Sequence, residues 1–197
     1  MSAEKLSALY RQCAAYFDAL YAPERRIYVF GDGDPAAKIL LVGEAPGEQE
    51  TLLQKPFVGR AGKNLDEFLA LTELTRPKLY TTNLVKFRPV KLGAKGRASN
   101  RPPSREEIEL WKPWFLKELN IVSPKVIVSL GNVPLQALAG RKTVIGQAHG
   151  RPFGELILGA TLFPLYHPAS VIYNPALRES YLEDLRAFSA FLRENRL

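Results

Sequence analysis

A chain of 197 residues fits one domain, which at this size buries roughly 70% of the surface that its unfolded chain exposes. With 46% apolar and 24% charged residues the composition is that of an ordinary globular protein, and no stretch approaches the ~20 consecutive apolar residues of a membrane-spanning helix. The net charge of +7 favours a polyanionic partner, and Cys13, the sole cysteine, rules out an intrachain disulfide, a Cys-rich zinc site and a four-thiolate iron–sulfur site.

The chain opens with Leu6, Leu9, Tyr10, Cys13, Phe17 and Leu20 on one face at helical spacing, which predicts an amphipathic helix over residues 2–20. This charged opening has no apolar signal core, so a cytoplasmic location is expected. The apolar run 39–42 predicts a strand buried on both faces, Leu65, Phe68 and Leu69 mark a helix, and residues 79–85 predict a second strand. Residues 86–103, KFRPVKLGAKGRASNRPP, carry six basic side chains and no acid. Such a segment is expected to be mobile in the free protein, either as a phosphate-contacting loop or as a solvated insertion. Ser104-Arg-Glu-Glu107 is a capping box, and it introduces a helix marked by Ile108, Trp111, Phe115 and Leu119. Runs 126–130 and 162–166 predict two more strands, and Leu177, Tyr181, Leu185, Phe188 and Leu192 mark a last helix, with Asn174 and Pro175 suited to its N-cap and first position. Strands alternating with helices require right-handed crossovers. The expected class is therefore α/β, with a central, mainly parallel four-stranded sheet between helical layers, and the whole chain, 1–197, is expected to be a single domain.

In such sheets ligands collect at loops leaving the carboxyl ends of the strands. Here those loops are Gly43-Glu-Ala-Pro-Gly47, the segment from Asn83, Gly131-Asn132 and His167-Pro-Ala-Ser170. The first has neither the spacing of a dinucleotide fingerprint nor the ending of a phosphate-binding P-loop, and its acids, Glu44, Glu48 and Glu50, also suit an ordinary helix N-terminus. Phe57, within Pro56-Phe-Val-Gly-Arg-Ala-Gly62, offers either a stacking face for a flat ligand or a core side chain. Asn83 ends a strand with a carboxamide that can donate to and accept from a pyrimidine edge at once, although turns and caps are the commoner use of asparagine. His167, also at a strand end, is a candidate catalytic group or a satisfied core histidine.

Taken together, GEAPGEQE at 43–50, KPFVGRAGKNLDEFL at 55–69, YTTNLVKFRP at 80–89, NRPPSREE at 100–107, PKVIVSLG at 124–131 and YHPAS at 166–170 resemble the family 4 uracil-DNA glycosylases of bacteria and archaea. The resemblance covers residues 29–190 and implies the three-layer α/β/α sandwich of that fold, with the base pocket at the strand ends. It implies that Glu44, Glu50 and His167 are catalytic and that Gly43, Ala45, Phe57 and Asn83 bind the substrate base, while the unpaired charge of 86–103 points to Lys86, Arg88, Lys91, Lys95, Arg97 and Arg101 as DNA contacts, with Ser170 beside them. Family members usually hold a four-iron cluster on four cysteines. Phe87 and Trp111 stand at two of those positions and Cys13 has no partner, so no cofactor and no metal are expected. Phe87 and Trp111 should then pack together in place of the metal. The loop before Asn100 is longer than is usual, and Tyr173 stands where an arginine often follows the HPA motif. The expected activity is hydrolysis of the bond between uracil and deoxyribose by a monomeric enzyme, with uracil-containing DNA as partner. A uracil-DNA binding protein with little turnover is the alternative.

Overall fold

Each apolar run of the sequence becomes one strand of the sheet. The computed structural model describes residues 1–94, 96–154 and 156–197, with all side chains among them except those of 60, 61, 63 and 64. In chain order the elements are α1 (Ser2–Tyr21), β1 (Asp32–Gly33), β2 (Ile39–Gly43), α2 (Glu48–Leu53), α3 (Arg60–Thr72), β3 (Leu79–Asn83), β4 (Val90–Leu92), β5 (Ala98–Asn100), α4 (Arg105–Val122), β6 (Val126–Leu130), α5 (Asn132–Ala139), α6 (Ile145–Ala148), β7 (Leu156–Ile157), β8 (Ala160–Leu165), α7 (Pro168–Tyr173) and α8 (Arg178–Glu194). Strands β3, β2, β6 and β8 are parallel neighbours in that order, as the crossover argument requires. The sheet has six strands rather than four, because the two-residue β1 and β7 add antiparallel edges to β3 and β8. Strands of two residues carry no periodicity for a sequence reading to detect.

Alternation along β2 shows why its neighbours are helices on both sides. Ile39 and Leu41 face a core shared with Leu65, Phe68, Val128, Phe163 and Phe188, whereas Leu40 and Val42 face one shared with Leu6, Phe115, Ile127, Leu135 and Leu162. Leu20, placed on the buried stripe of the first helix by spacing, is instead 47% exposed in the last turn of that helix. The capping box forms as predicted: the Glu107 N–H donates to Ser104 Oγ at 3.2 Å, and the Ser104 N–H donates to Glu107 Oε2 at 2.6 Å. Asn174 caps a 3₁₀ turn, Pro175–Leu177, and α8 begins only after it.

The basic segment departs from expectation. Instead of an unstructured loop it forms a β-hairpin in which Val90 pairs with Asn100 and Leu92 with Ala98. Its base is fastened by two arginines. Arg101 donates both Nη atoms to Glu107 at 2.7 Å, and Arg88 bonds Asn100 at 2.6 Å and Glu48 at 3.2 Å.

Phe87 and Trp111 meet as the missing cysteines predicted, with ring centroids 6.1 Å apart. Trp111 stacks on Phe17 at 3.7 Å, and Cys13 and Val85 complete the cluster. A four-iron cluster does not fit here: aromatic rings fill the space, and one buried thiol is the only candidate ligand.

Candidate active site

Parallel registry places Gly43 of β2 beside Asn83 of β3, so their two loops leave the sheet together. One strand further, β6 and β8 end level with each other at Leu130 and Leu165, and this brings Gly131 and His167 to the same rim. A cleft of about 450 Å³ opens there, walled by Phe57, Asn83, His167, Glu50, Ala45 and Tyr173. Beyond His167 a second cleft is lined by Glu44, Gly131, Asn132, Ser170, Arg101 and again Tyr173. The two clefts share His167, together with Ala45, Asn100, Ala169 and Tyr173, so the histidine stands where they meet.

Close approach at the first cleft depends on glycine. A Cβ on Gly43 would lie 2.4 Å from Asn83 Oδ1 and 2.9 Å from the Phe57 ring, so any larger residue would separate the stacking face from the carboxamide. Phe57 itself has a left-handed backbone, φ 55°, which costs a non-glycine residue of order 1–3 kcal/mol. Arg76 helps to hold it there: one Nη donates to the Phe57 carbonyl and the other to that of Gly62, each at 3.1 Å, while Asp66 anchors the guanidinium. Sequence reasoning missed Arg76, which lies outside every motif and acts only through the fold.

The two acids separate cleanly. Glu50 is buried, and its carboxylate accepts the Gly59 N–H at 2.7 Å and the Gly47 N–H at 3.2 Å, tying the Phe57 loop to the Gly43 loop. Each of its oxygens therefore holds the scaffold of the cleft that Glu50 also lines. The Glu44 carboxylate has no hydrogen-bond partner among the described residues, and burial raises its pKa above the ordinary value. It faces the second cleft, free to bind a water or to face a developing cation.

His167 is the N-cap of α7, and its Nδ1 accepts the Ala169 N–H at 3.1 Å. That bond puts the imidazole proton on Nε2. Burial pushes the pKa down to about 4, against the opposing pull of the Glu50 carboxylate, so at neutral pH the ring is an uncharged donor.

The expected DNA contacts divide in the same way. Lys86 is wrongly placed by the sequence reading: it is 2% exposed and paired with Glu118, so it reaches no phosphate. Arg88 and Arg101 are bound to carboxylates at the hairpin base, whereas Lys91 and Arg97 project from the hairpin into solvent. Ser170 lines the second cleft. Lys95 lies outside the described residues. Asn100 and Tyr173, not expected in the pocket, line both clefts, and Tyr173 is 79% exposed at their rim. Among the described residues no three His, Cys, Asp or Glu side chains gather as metal ligands.

The family profile described as the Uracil DNA glycosylase superfamily matches residues 30–189, a span that includes every residue of both clefts. The chain belongs to the uracil DNA glycosylase superfamily. Among its relatives, this superfamily member is 38% identical to the type-4 uracil-DNA glycosylase of Archaeoglobus fulgidus over 165 residues, covering 81% of this chain and 79% of that one. It is 34% identical to the type-4 enzyme of Pyrobaculum aerophilum over 194 residues, 95% and 93% of the two chains. The fold is also that of Pedobacter heparinus SMUG2, with a TM-score of 0.57 at 15% identity over 82% of this chain and 77% of the other.

Proposed function

We infer that the protein is a uracil-DNA glycosylase: it extrudes uracil from DNA, hydrolyses the bond to deoxyribose and leaves an abasic site. The observation that carries this reading is the convergence of Phe57, Asn83 and His167 on one cleft from three separate loops, in a chain of this superfamily. A base inside a duplex is out of reach, so extrusion comes first, at a cost of a few kcal/mol that is smallest where the base is mispaired or single-stranded. In the cleft the base stacks on Phe57 while the Asn83 carboxamide pairs with its edge, accepting from one atom and donating to the next. As the glycosidic bond breaks, negative charge gathers on the uracil and positive charge on the sugar. The Nε2–H of neutral His167 is a pre-placed donor to that anion, of a kind typically worth about 3 kcal/mol. Glu44, in the second cleft that His167 also lines, faces the sugar and orients the attacking water. Tyr173, exposed at the rim, lies against the duplex, and Lys91 and Arg97 meet its phosphates.

The decisive assay incubates the protein with a duplex carrying one uracil and then treats the DNA with alkali. Strand scission at the uracil position is expected. An intact strand with DNA binding retained would instead favour the binding-protein alternative.

A further inference from the structure

Lys86 follows Asn83 by three residues and turns under it into the protein. Its ammonium donates to the Asn83 carbonyl at 2.6 Å, to Thr82 Oγ1 at 2.5 Å and to Glu118 Oε2 at 2.5 Å, which uses all three of its protons. Glu118, on α4, is likewise buried and also accepts from the hydroxyls of Tyr10 at 2.5 Å, Tyr80 at 3.0 Å and Thr82 at 3.1 Å. The Tyr10 and Tyr80 hydroxyls also lie within bonding reach of each other, and with one proton apiece the two hydroxyls share these contacts with Glu118. Stability does not account for such a pair, because apolar side chains of similar volume serve a core as well or better. What the pair does geometrically is local. At the end of β3 the chain leaves the sheet, Leu84 and Val85 bond back to the carbonyls of Gly43 and Glu44, and the carbonyl of Asn83 is turned inward onto the ammonium. With its carbonyl held from beneath, the Asn83 peptide has one orientation, and so has the bond that aims its carboxamide past Gly43 into the cleft.

We propose that Lys86, held by Glu118, is a positioning residue that fixes the backbone of Asn83 so that its carboxamide meets the flipped base in register. The proposal rests on Asn83 reading uracil, as set out above. Lys86 touches neither cleft, so its loss acts on the rate of excision and leaves DNA affinity alone.

The test is a mutant cycle between the pair and Asn83, read by single-turnover excision, binding to a duplex without uracil, and thermal melting. Lys86→Met with Glu118→Gln removes both charges and keeps an amide oxygen for the tyrosine and threonine hydroxyls. This double variant is expected to bind DNA as the wild type does and to excise uracil about 10- to 100-fold more slowly, the range for a misplaced reacting group. In an Asn83→Ala background the same two changes are expected to cause no further loss. Losses that multiply, or a double variant at the wild-type rate, would overturn the proposal while leaving Asn83 as the reader. Wild-type excision by Asn83→Ala would instead sink the reading of Asn83, and the proposal with it. Should the double variant melt below the assay temperature, Glu118→Gln alone enters the same cycle, with a smaller loss that must again vanish in Asn83→Ala.

Discussion

At the scale of single residues, the site works by giving similar groups different surroundings. Glu50 and Glu44 are six positions apart, yet two backbone N–H groups hold the first while burial alone raises the pKa of the second. Desolvation disfavours the anion that the reaction needs, so excision should fail on acidification at a pH above that of an ordinary glutamate. Single-turnover rates across pH check this: Glu44→Gln should be slow throughout and lack that acid limb. His167 has the opposite sign of coupling to stability. Its folded pKa of about 4 lies below the 6.5 of the unfolded chain, so between those values only the unfolded chain takes up a proton. Stability should therefore fall by about 1–3 kcal/mol as pH drops from 6.5 to 4. Denaturant titrations of His167→Asn, which keeps a helix cap, should lack that part of the fall. At neutral pH His167→Ala should excise more slowly by a factor on the order of 10² to 10³ with DNA affinity nearly intact, since the contact strengthens only as charge develops. Asn83→Asp should lose uracil, because an ionised carboxylate offers no donor and repels the uracil carbonyl. A trace of cytosine release is expected in the same assay, the cytosine amino group being a donor.

At the scale of elements, the basic segment is the one whose character changed between sequence and structure. Six cations without an acid read as a repelling, mobile loop, but the acids that balance two of them come from elsewhere in the sequence, Glu48 and Glu107. A third, Lys86, is taken inside by Glu118. What remains is a hairpin fastened at its base, with Lys91 and Arg97 facing solvent. Neutralising these two together should weaken binding to all duplex sequences alike and lower the salt slope by roughly 0.9 for each phosphate that the hairpin no longer neutralises. An unchanged slope in filter-binding or anisotropy titrations would make the hairpin a bystander. The excision rate of bound DNA should not change, because neither side chain borders the base cleft.

At the scale of the whole molecule, an aromatic cluster stands where relatives are expected to carry metal. Phe17, Phe87 and Trp111 join α1, α4 and the segment after β3, so the cluster clamps the layer that carries Lys86 and Glu118. Trp111→Ala, in a fully buried site, should cost about 3–5 kcal/mol in denaturant titration. The purified wild-type protein should be colourless and hold no stoichiometric iron by elemental analysis. A cost below about 1 kcal/mol would mean that the cluster merely fills space.

The order of strands and helices, the capping box, the pairing of Phe87 with Trp111 and the candidates Phe57, Asn83 and His167 were legible in the sequence. Each follows from local periodicity, from residue chemistry at a strand end, or from motifs that occur together. The sequence by itself also determined that no four-thiolate cluster can form, since that is a matter of counting cysteines. Only the tertiary structure decided which carboxylate holds backbone, which lysine is buried, and that Arg76 helps to hold Phe57 in its left-handed turn. These depend on partners such as Gly59, Glu118 and Arg76, between 9 and 32 residues away along the chain. The side chain of a lysine, arginine or glutamate is the same in water and in a core. Its role is set by the dielectric and the donors around it, which exist only once the layers have closed.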